Sequence, residues 1–339
     1  MEHRFVGRSG LKVSALTFGN WLTQGGERDR EIAERCIATA LDLGITSFDT
    51  ADTYANGAAE ECLGAALKRQ RRESLVVMSK VYFPAVAAPR GENEVGLSRK
   101  HIIEGINGTL RRLGMDYVDI YQAHRYDRFT PLEETMQAFA DVIRAGKALY
   151  IGVSEWAPEA LRQGQTLARE LGISLISNQP QYSMLWRVIE REVVPTCEDI
   201  GMSQMVWSPM AQGVLSGKYL PGQAAPEGSR ALDTVSGGAN MIKRWMTDNV
   251  LQAVRLLQPL AAELDISMSQ MALAWVLKNP NVATAIIGAS RPEQIQENVR
   301  AAEVKIPPQT IDAIDRILKD VAIVDPTFTA QFTPAARPG

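Results

Sequence analysis

Apolar positions recur along this chain in two periods that take turns. From residue 29 to 43, Ile32, Ala33, Cys36, Ile37, Ala40 and Leu41 fall at helical spacing, and Gly44 follows as a stop. Residues 45–49 then read as a short buried strand, with Ile45, Ser47 and Asp49 on one face and Thr46 and Phe48 on the other. The succession repeats. A helix at 59–68 leads to a strand at 75–78 that ends in Ser79 and Lys80. After a Pro- and Gly-rich loop at 84–96, Ser98 caps a helix that runs to Leu113 and stops at Gly114. The strand at 117–121 ends in Gln122, Ala123 and His124. Pro131 opens the next helix in its first turn, where a missing N–H costs nothing. Strands at 148–153, 175–177 and 205–207 end in Ser154-Glu155-Trp156, Asn178-Gln179 and Ser208-Pro209, with helices at 161–171 and 189–200 between them.

The two ends of the chain depart from this rhythm. Residues 4–13 flank the turn Gly7 to Gly10 as a small hairpin, and a strand at 14–18 follows, ending in Gly19-Asn20-Trp21. After residue 207 comes a long Gly- and Ser-rich loop to about residue 240, then helices at 248–264 and 267–278. The last strand, 283–287, ends in Gly288-Ala289-Ser290. Pro292 starts a helix, another occupies 309–319, and a Pro- and Thr-containing tail is expected to be mobile.

Eight strands separated by helices predict a (β/α)8 TIM barrel, a single domain over residues 1–320 with a tail at 321–339. A doubly wound sheet would usually carry a Gly-rich phosphate turn, and neither G-x-G-x-x-G nor a P-loop occurs. Of the 339 residues, basic and acidic ones are mixed to a net charge of −3, which leaves no stripe for nucleic acid and no polybasic membrane patch. Cys36, Cys62 and Cys197 have neither zinc nor disulfide spacing. The opening MEHRFVGRSG lacks a signal-peptide core, and no apolar run is long enough to span a bilayer. A cytoplasmic protein is expected.

In such a barrel the C-terminal strand ends carry the chemistry. Asp49 with Tyr54, Lys80, and His124 come from three successive strands and converge on one part of the rim. A free phenol, with a pKa of roughly 10, is a poor acid near neutrality. An ammonium beside it would lower that value, while Asp49 holds Lys80 charged and oriented. His124 can position a carbonyl oxygen near Tyr54. Such a site delivers a proton to an oxygen that gains charge as a hydride reaches its carbon. With three histidines and no clustered cysteines or carboxylates, a metal site is not expected.

FDTADTY resembles the D-x-A-x-x-Y signature of the aldo-keto reductases. MSKVY, YQAHRYD, NQPQYSM, WSPMAQGVLSGKY and GASRPEQIQEN follow in the family's order, so the resemblance runs from Phe5 to about Leu318. The last two, with GNW, are similar to the branch that holds the potassium-channel β subunits and bacterial relatives. The resemblance implies Tyr54 as the catalytic acid, supported by Asp49, Lys80 and His124, and a nicotinamide cofactor lying extended over the barrel mouth. It places Asn20, Trp21, Asp49, Ser154, Gln179 and Trp207 around the nicotinamide and its ribose, with Trp207 stacked on the ring. Ser208, Pro209, Met210 and Ala211, with Gln212 and Gly213 of the same loop, would meet the pyrophosphate. Lys218, Arg230, Ser290 and Gln294, beside Gly288, would hold the adenosine end, where paired cations suit a 2'-phosphate and hence NADPH. Glu297 and Asn298 would bind the adenine.

Two positions depart from that pattern: Glu155 stands where relatives often carry Asn or Arg, and residues 222–228 are longer than in the channel subunits. Trp21, Tyr82, Phe83, Tyr126, Trp156 and Trp186 are expected around a small carbonyl substrate, keto-sugars included, with Arg125 and Arg187 as receivers for an anionic group. A second reading is an NADPH-binding regulatory subunit with slow turnover. The channel subunits carry asparagine at the position of His124, so histidine there favours catalysis. Oligomeric state is left open.

Overall fold

The computed structural model describes residues 1–21, 27–86, 91–234 and 238–336, the side chains of 27–29 excepted. Eight parallel strands close into a barrel: β3 (Leu16–Gly19), β4 (Ser47–Asp49), β5 (Val76–Val81), β6 (Val118–Ala123), β7 (Ala148–Val153), β8 (Leu175–Asn178), β9 (Ser203–Val206) and β10 (Val282–Ile287). They pair in chain order, and β10 closes the ring against β3. This is the (β/α)8 fold that the alternation predicts. The strands are almost wholly buried because helices cover their outer faces while side chains fill the interior, so they read as apolar runs.

The hairpin stops the N-terminal end of the barrel. β1 (His3–Phe5) pairs antiparallel with β2 (Lys12–Ser14), and Val6 and Val13 pack with Val76, Met78, Ile120, Ile176, Met205 and Ala283 into a small core of their own. Gly7 makes the close approach possible. At φ +55 its missing Cβ would stand 2.5 Å from the Gly201 carbonyl oxygen and 2.6 Å from that of Ile176. With the bottom plugged, the opposite rim is the open end.

The outer helices bury one stripe each. In the helix Leu132–Arg144, Met136, Phe139, Ala140 and Val142 turn inward. The helices Ala58–Leu67 and Arg99–Leu113 pack so closely that a Cβ on Gly64 would lie 2.1 Å from the Leu113 carbonyl oxygen. Backbone cannot swing aside as a side chain can. Gly64→Ala should therefore destabilise the fold by about 3 kcal/mol, the upper end of overpacking costs, read from the urea midpoint.

Three expectations need correction. The segment 248–264 is two helices, Asp248–Leu256 and Gln258–Glu263, because Pro259 has no N–H to give the Arg255 carbonyl and its ring crowds that turn. The helix expected from 189 begins only at Val193, after a turn. The tail, expected to be mobile, is packed down. Arg187 N donates to the Ile323 oxygen at 2.8 Å, and Ile323 N donates to the Leu185 oxygen at 2.9 Å. Beyond them a 3-10 turn, Pro326–Phe332, sets Phe328 and Phe332 edge-on against Trp186, with ring centroids 6.0 and 5.9 Å away. Among the described residues no single helix is long and apolar enough to cross a membrane.

Candidate active site

β4 is only three residues long, and the segment after it shapes the site. The chain continues beside β5: Thr50 N donates to the Met78 oxygen and Asp52 N to the Lys80 oxygen. It then turns at Tyr54–Gly57, where Ala55 and Asn56 take the left-handed φ values 48 and 54 ahead of Gly57 at 91. Strained backbone of this kind, about 1–3 kcal/mol per residue, persists only where its surroundings enforce it. Asn20 is one enforcer, because its amide Nδ2 donates to the Ala59 oxygen at 2.7 Å and its N–H to the Asp49 oxygen. Asn20 thus straps the end of β3 to the turn that carries Tyr54.

Lys80, wholly buried inside β5, is the hub. Its Nζ donates to Asp49 Oδ2 at 2.6 Å, to the Thr50 oxygen at 2.7 Å and to Tyr54 Oη at 3.2 Å. Burial alone pushes its pKa down, but the Asp49 charge and the bonds to Asp49 and Tyr54 together lift it above the ordinary lysine value. The ammonium is retained. For Tyr54 the balance differs from the expected lowering. Burial pushes the phenol above the ordinary tyrosine value, while Lys80 pulls in the expected direction and recovers only part. Tyr54 therefore keeps its proton at neutral pH and releases it only to a stronger base such as an alkoxide. Lys80 makes that release less costly than burial alone would.

Beside this pair lie His124 and the amides of Gln179 and Gln122. His124 sits edge-on to Tyr54, ring centroids 5.8 Å apart. Burial first, then Arg125 and Lys80, hold it well below the ordinary histidine value, so its ring is neutral, with a buried Nδ1 that has no hydrogen-bond partner among the described residues. The second oxygen of Asp49 accepts from Gln179 Nε2 at 2.9 Å and from Gln122 Nε2 at 3.4 Å. Ser154 Oγ donates to the Gln179 oxygen at 2.8 Å. Gln179 and Ser154 thereby tie β7 and β8 to Asp49. Sequence reasoning did not single out Gln122 as a site residue. The signal was available, because Gln122 stands level with Lys80 on the neighbouring strand, and a buried glutamine there needs polar partners.

Glu155 faces Trp207. Its Oε1 accepts from Trp207 Nε1 at 2.8 Å and from Gln181 N at 2.6 Å, on a backbone at φ 56. Burial pushes its carboxyl from 4.5 up to about 7, against the opposing pull of Arg125 and of those two hydrogen bonds. A raised carboxyl pKa means that the stability it permits is intact below about 4.5 and is lost as the pH rises through about 7. Glu155→Gln keeps an acceptor for both N–H groups. It should remove up to about 3 kcal/mol of the stability lost between pH 5 and pH 8, measured as the difference in urea unfolding between variant and parent at the two pH values.

The remaining expected cofactor residues form a strip running from Trp207 outward. Ser208, Ala211, Gln212 and Gly213 all have positive φ (56, 47, 60 and 95), a run of strained backbone around Pro209 and Met210. Three of its N–H groups are already engaged: Ala211 N with the Ser208 oxygen, Gln212 N with Ser208 Oγ, and Gly213 N with the Met210 oxygen. Lys218 is exposed beside Gly213, with Nζ 5.2 Å from the Tyr219 ring centre. Arg230 donates to Gln212 and lies over the ring of Trp21 at 5.4 Å. Gly288 and Ser290 are exposed past β10, where Ser290 N donates to Gln294 Oε1 at 2.8 Å. Asn298 is buried, whereas Glu297 is exposed and its backbone oxygen accepts from Gln270. The packed tail adds Phe332, 5.9 Å from the Trp207 ring centre and 5.8 Å from the Arg125 guanidinium. No periodicity or motif flagged Phe332. Among the described residues no cluster of His, Cys, Asp and Glu could hold a metal ion.

Together these features define a closed (β/α)8 barrel with a hydrogen-bonded Asp49–Lys80–Tyr54 cluster. The Aldo/keto reductase family model matches residues 15–319. A Schizosaccharomyces pombe protein described as a putative voltage-gated potassium channel subunit beta is 44% identical over 322 residues, covering 93% of this chain and 92% of its own. Proteins of Oryza sativa subsp. japonica and Arabidopsis thaliana, each described as a probable voltage-gated potassium channel subunit beta, are 40% and 41% identical. Each alignment covers 94% of this chain, with 95% and 97% of theirs. The chain belongs to the aldo/keto reductase family, a family of oxidoreductases that generally uses a nicotinamide cofactor.

Proposed function

We propose that this protein reduces the carbonyl of a small molecule to an alcohol with NADPH, Tyr54 acting as the general acid. The observation that carries this reading is the bridge formed by Lys80 Nζ between Asp49 and the Tyr54 phenol. The bridge holds a phenolic proton beside a fixed positive charge, where an alkoxide forming at carbon would need it. Neutral His124 next to Tyr54 suits the orientation of a carbonyl oxygen, since an imidazolium there would compete with Lys80. The strained loop at 208–213, partly exposed Trp207 and exposed Lys218 fit a flat, anionic cofactor laid along the rim. When bound, the nicotinamide supplies the hydride. Trp207, held by Glu155, would face its ring, and Lys218 would meet its phosphate. Arg230 is taken up by Gln212 and Trp21, so discrimination for the 2'-phosphate rests first on Lys218.

The test is NADPH consumption across a panel of aldehydes, ketones and keto-sugars, with cofactor affinity followed by tryptophan fluorescence. NADPH should bind more tightly than NADH, and Lys218→Ala should narrow the gap by roughly 10- to 100-fold, the usual worth of a hydrogen bond to a charged group. Equal affinities in the parent protein would remove the NADPH assignment.

A second reading draws on the relatives' descriptions as potassium channel β subunits: a cofactor-binding regulatory subunit with slow turnover. Tight NADPH binding without reduction of any carbonyl in the panel would favour it.

A further inference from the structure

Arg125 stands out among the partly buried arginines. Arg72, Arg112 and Arg187 each hold a carboxylate, Asp119 at 2.7 Å, Glu60 at 2.6 Å and Asp315 at 2.7 Å. Arg125 is withdrawn from solvent to a similar degree, yet no carboxylate among the described residues lies within ion-pairing distance. One of its terminal nitrogens donates to the His124 oxygen and, at 3.4 Å, to Ser154 Oγ. Glu155 is the nearest acidic influence, but its carboxyl is bound to the Trp207 indole and the Gln181 N–H. Arg230, the other guanidinium without such a partner, lies on the loop already proposed to face an anionic cofactor.

The surroundings of Arg125 are those of a receptor. Phe83 and Phe332 flank it, with ring centres 5.7 and 5.8 Å from the guanidinium carbon. Phe83 lies 5.2 Å from His124, which lies 5.8 Å from Tyr54. Arg125 is thus joined through Phe83 and His124 to the Tyr54 phenol, on the same part of the rim. Its N–H groups that have no partner among the described residues form a fork suited to a planar oxyanion, and the apolar rings around them strengthen such a pair by excluding water.

We propose that Arg125 is the specificity-determining residue of this site and receives an anionic group that the substrate carries a few bonds from its carbonyl. The substrate is then an oxo acid or a sugar phosphate. The inference rests on the reductase reading for its kinetics, but not for the binding it asserts.

The decisive comparison is kcat/KM for 4-oxobutanoate against its methyl ester, and for glyceraldehyde 3-phosphate against glyceraldehyde, with NADPH in excess. In the parent protein at least one anionic member should be preferred by roughly tenfold or more, and the pair that shows it distinguishes carboxylate from phosphate. Arg125→Met, which keeps an unbranched side chain between the two rings, should lower that anionic-to-neutral ratio by roughly 10- to 100-fold, mainly through KM, and Arg125→Lys should restore part of it. A purely structural role would depress both members alike and leave the ratio unchanged. That outcome, or a parent protein indifferent to charge in both pairs, overturns the inference. If the parent reduces none of the four compounds, fluorescence titration of the NADPH-loaded protein with succinate and succinamide decides instead. Tighter succinate binding that Arg125→Met abolishes sustains the inference while the reductase reading fails, and equal binding of the two overturns it.

Discussion

Tyr54→Phe should lower carbonyl reduction by at least 10²-fold, within the roughly 10²- to 10⁴-fold range of general-acid contributions, while NADPH affinity stays close to that of the parent. The variant keeps the ring that stands edge-on to His124 and removes only the hydroxyl that accepts from Lys80 Nζ. The Lys80 ammonium keeps its bonds to Asp49 and the Thr50 oxygen, so the fold around it should survive. What disappears is the proton. Burial, outweighing the opposing pull of Lys80, leaves the phenol protonated at neutral pH, and His124, held neutral by burial, Arg125 and Lys80, is a weaker replacement donor. Single-turnover reduction of any aldehyde the parent accepts would measure the loss directly. Reduction at the parent rate would show that the proton comes from another group and would end the assignment of Tyr54.

How much of this was legible in the chain depends on how local each feature is. The barrel could be read because strand and helix periods alternate locally and Gly44 and Gly114 end their helices where the spacing stops. Asp49, Tyr54, Lys80 and His124 could be placed together because strand order fixes which ends are neighbours, and the register sets Lys80 level with Gln122. Signs and commitments of individual groups were not legible. The net direction of the Tyr54 shift depends on whether burial or one ammonium is larger, and sequence does not state burial. Asn20, expected at the nicotinamide, spends its amide N–H on the Ala59 oxygen, and Ala211, Gln212 and Gly213 spend theirs inside the loop. The tail was misread for a related reason. Its anchor is a pair of hydrogen bonds, Ile323 N donating to the Leu185 oxygen and Arg187 N to the Ile323 oxygen, across more than a hundred residues, and no local pattern announces them.

Lys80→Met separates the roles of charge and shape at the same centre, and its effects are the largest on stability. Methionine fits the unbranched path of the lysine chain through the barrel but leaves Asp49 buried without its cation, supported among the described residues by the amides of Gln179 and Gln122. Breaking one side of a buried ion pair typically costs about 3–5 kcal/mol, because the surviving charge has lost its compensation. The urea midpoint should fall accordingly. Turnover should drop as well, though for another reason than in Tyr54→Phe. The phenol remains, but the pull that opposed burial is gone, so its pKa rises further and proton release to a developing alkoxide becomes more costly. A double variant, Asp49→Asn with Lys80→Met, distinguishes the two effects. Neutralising the carboxylate should return most of the lost stability, since no buried charge is left unpaired, while turnover should stay low because the ammonium beside Tyr54 is still missing. If stability and turnover recovered together, Lys80 would serve the fold alone, and the positive charge next to the phenol would have no part in proton transfer.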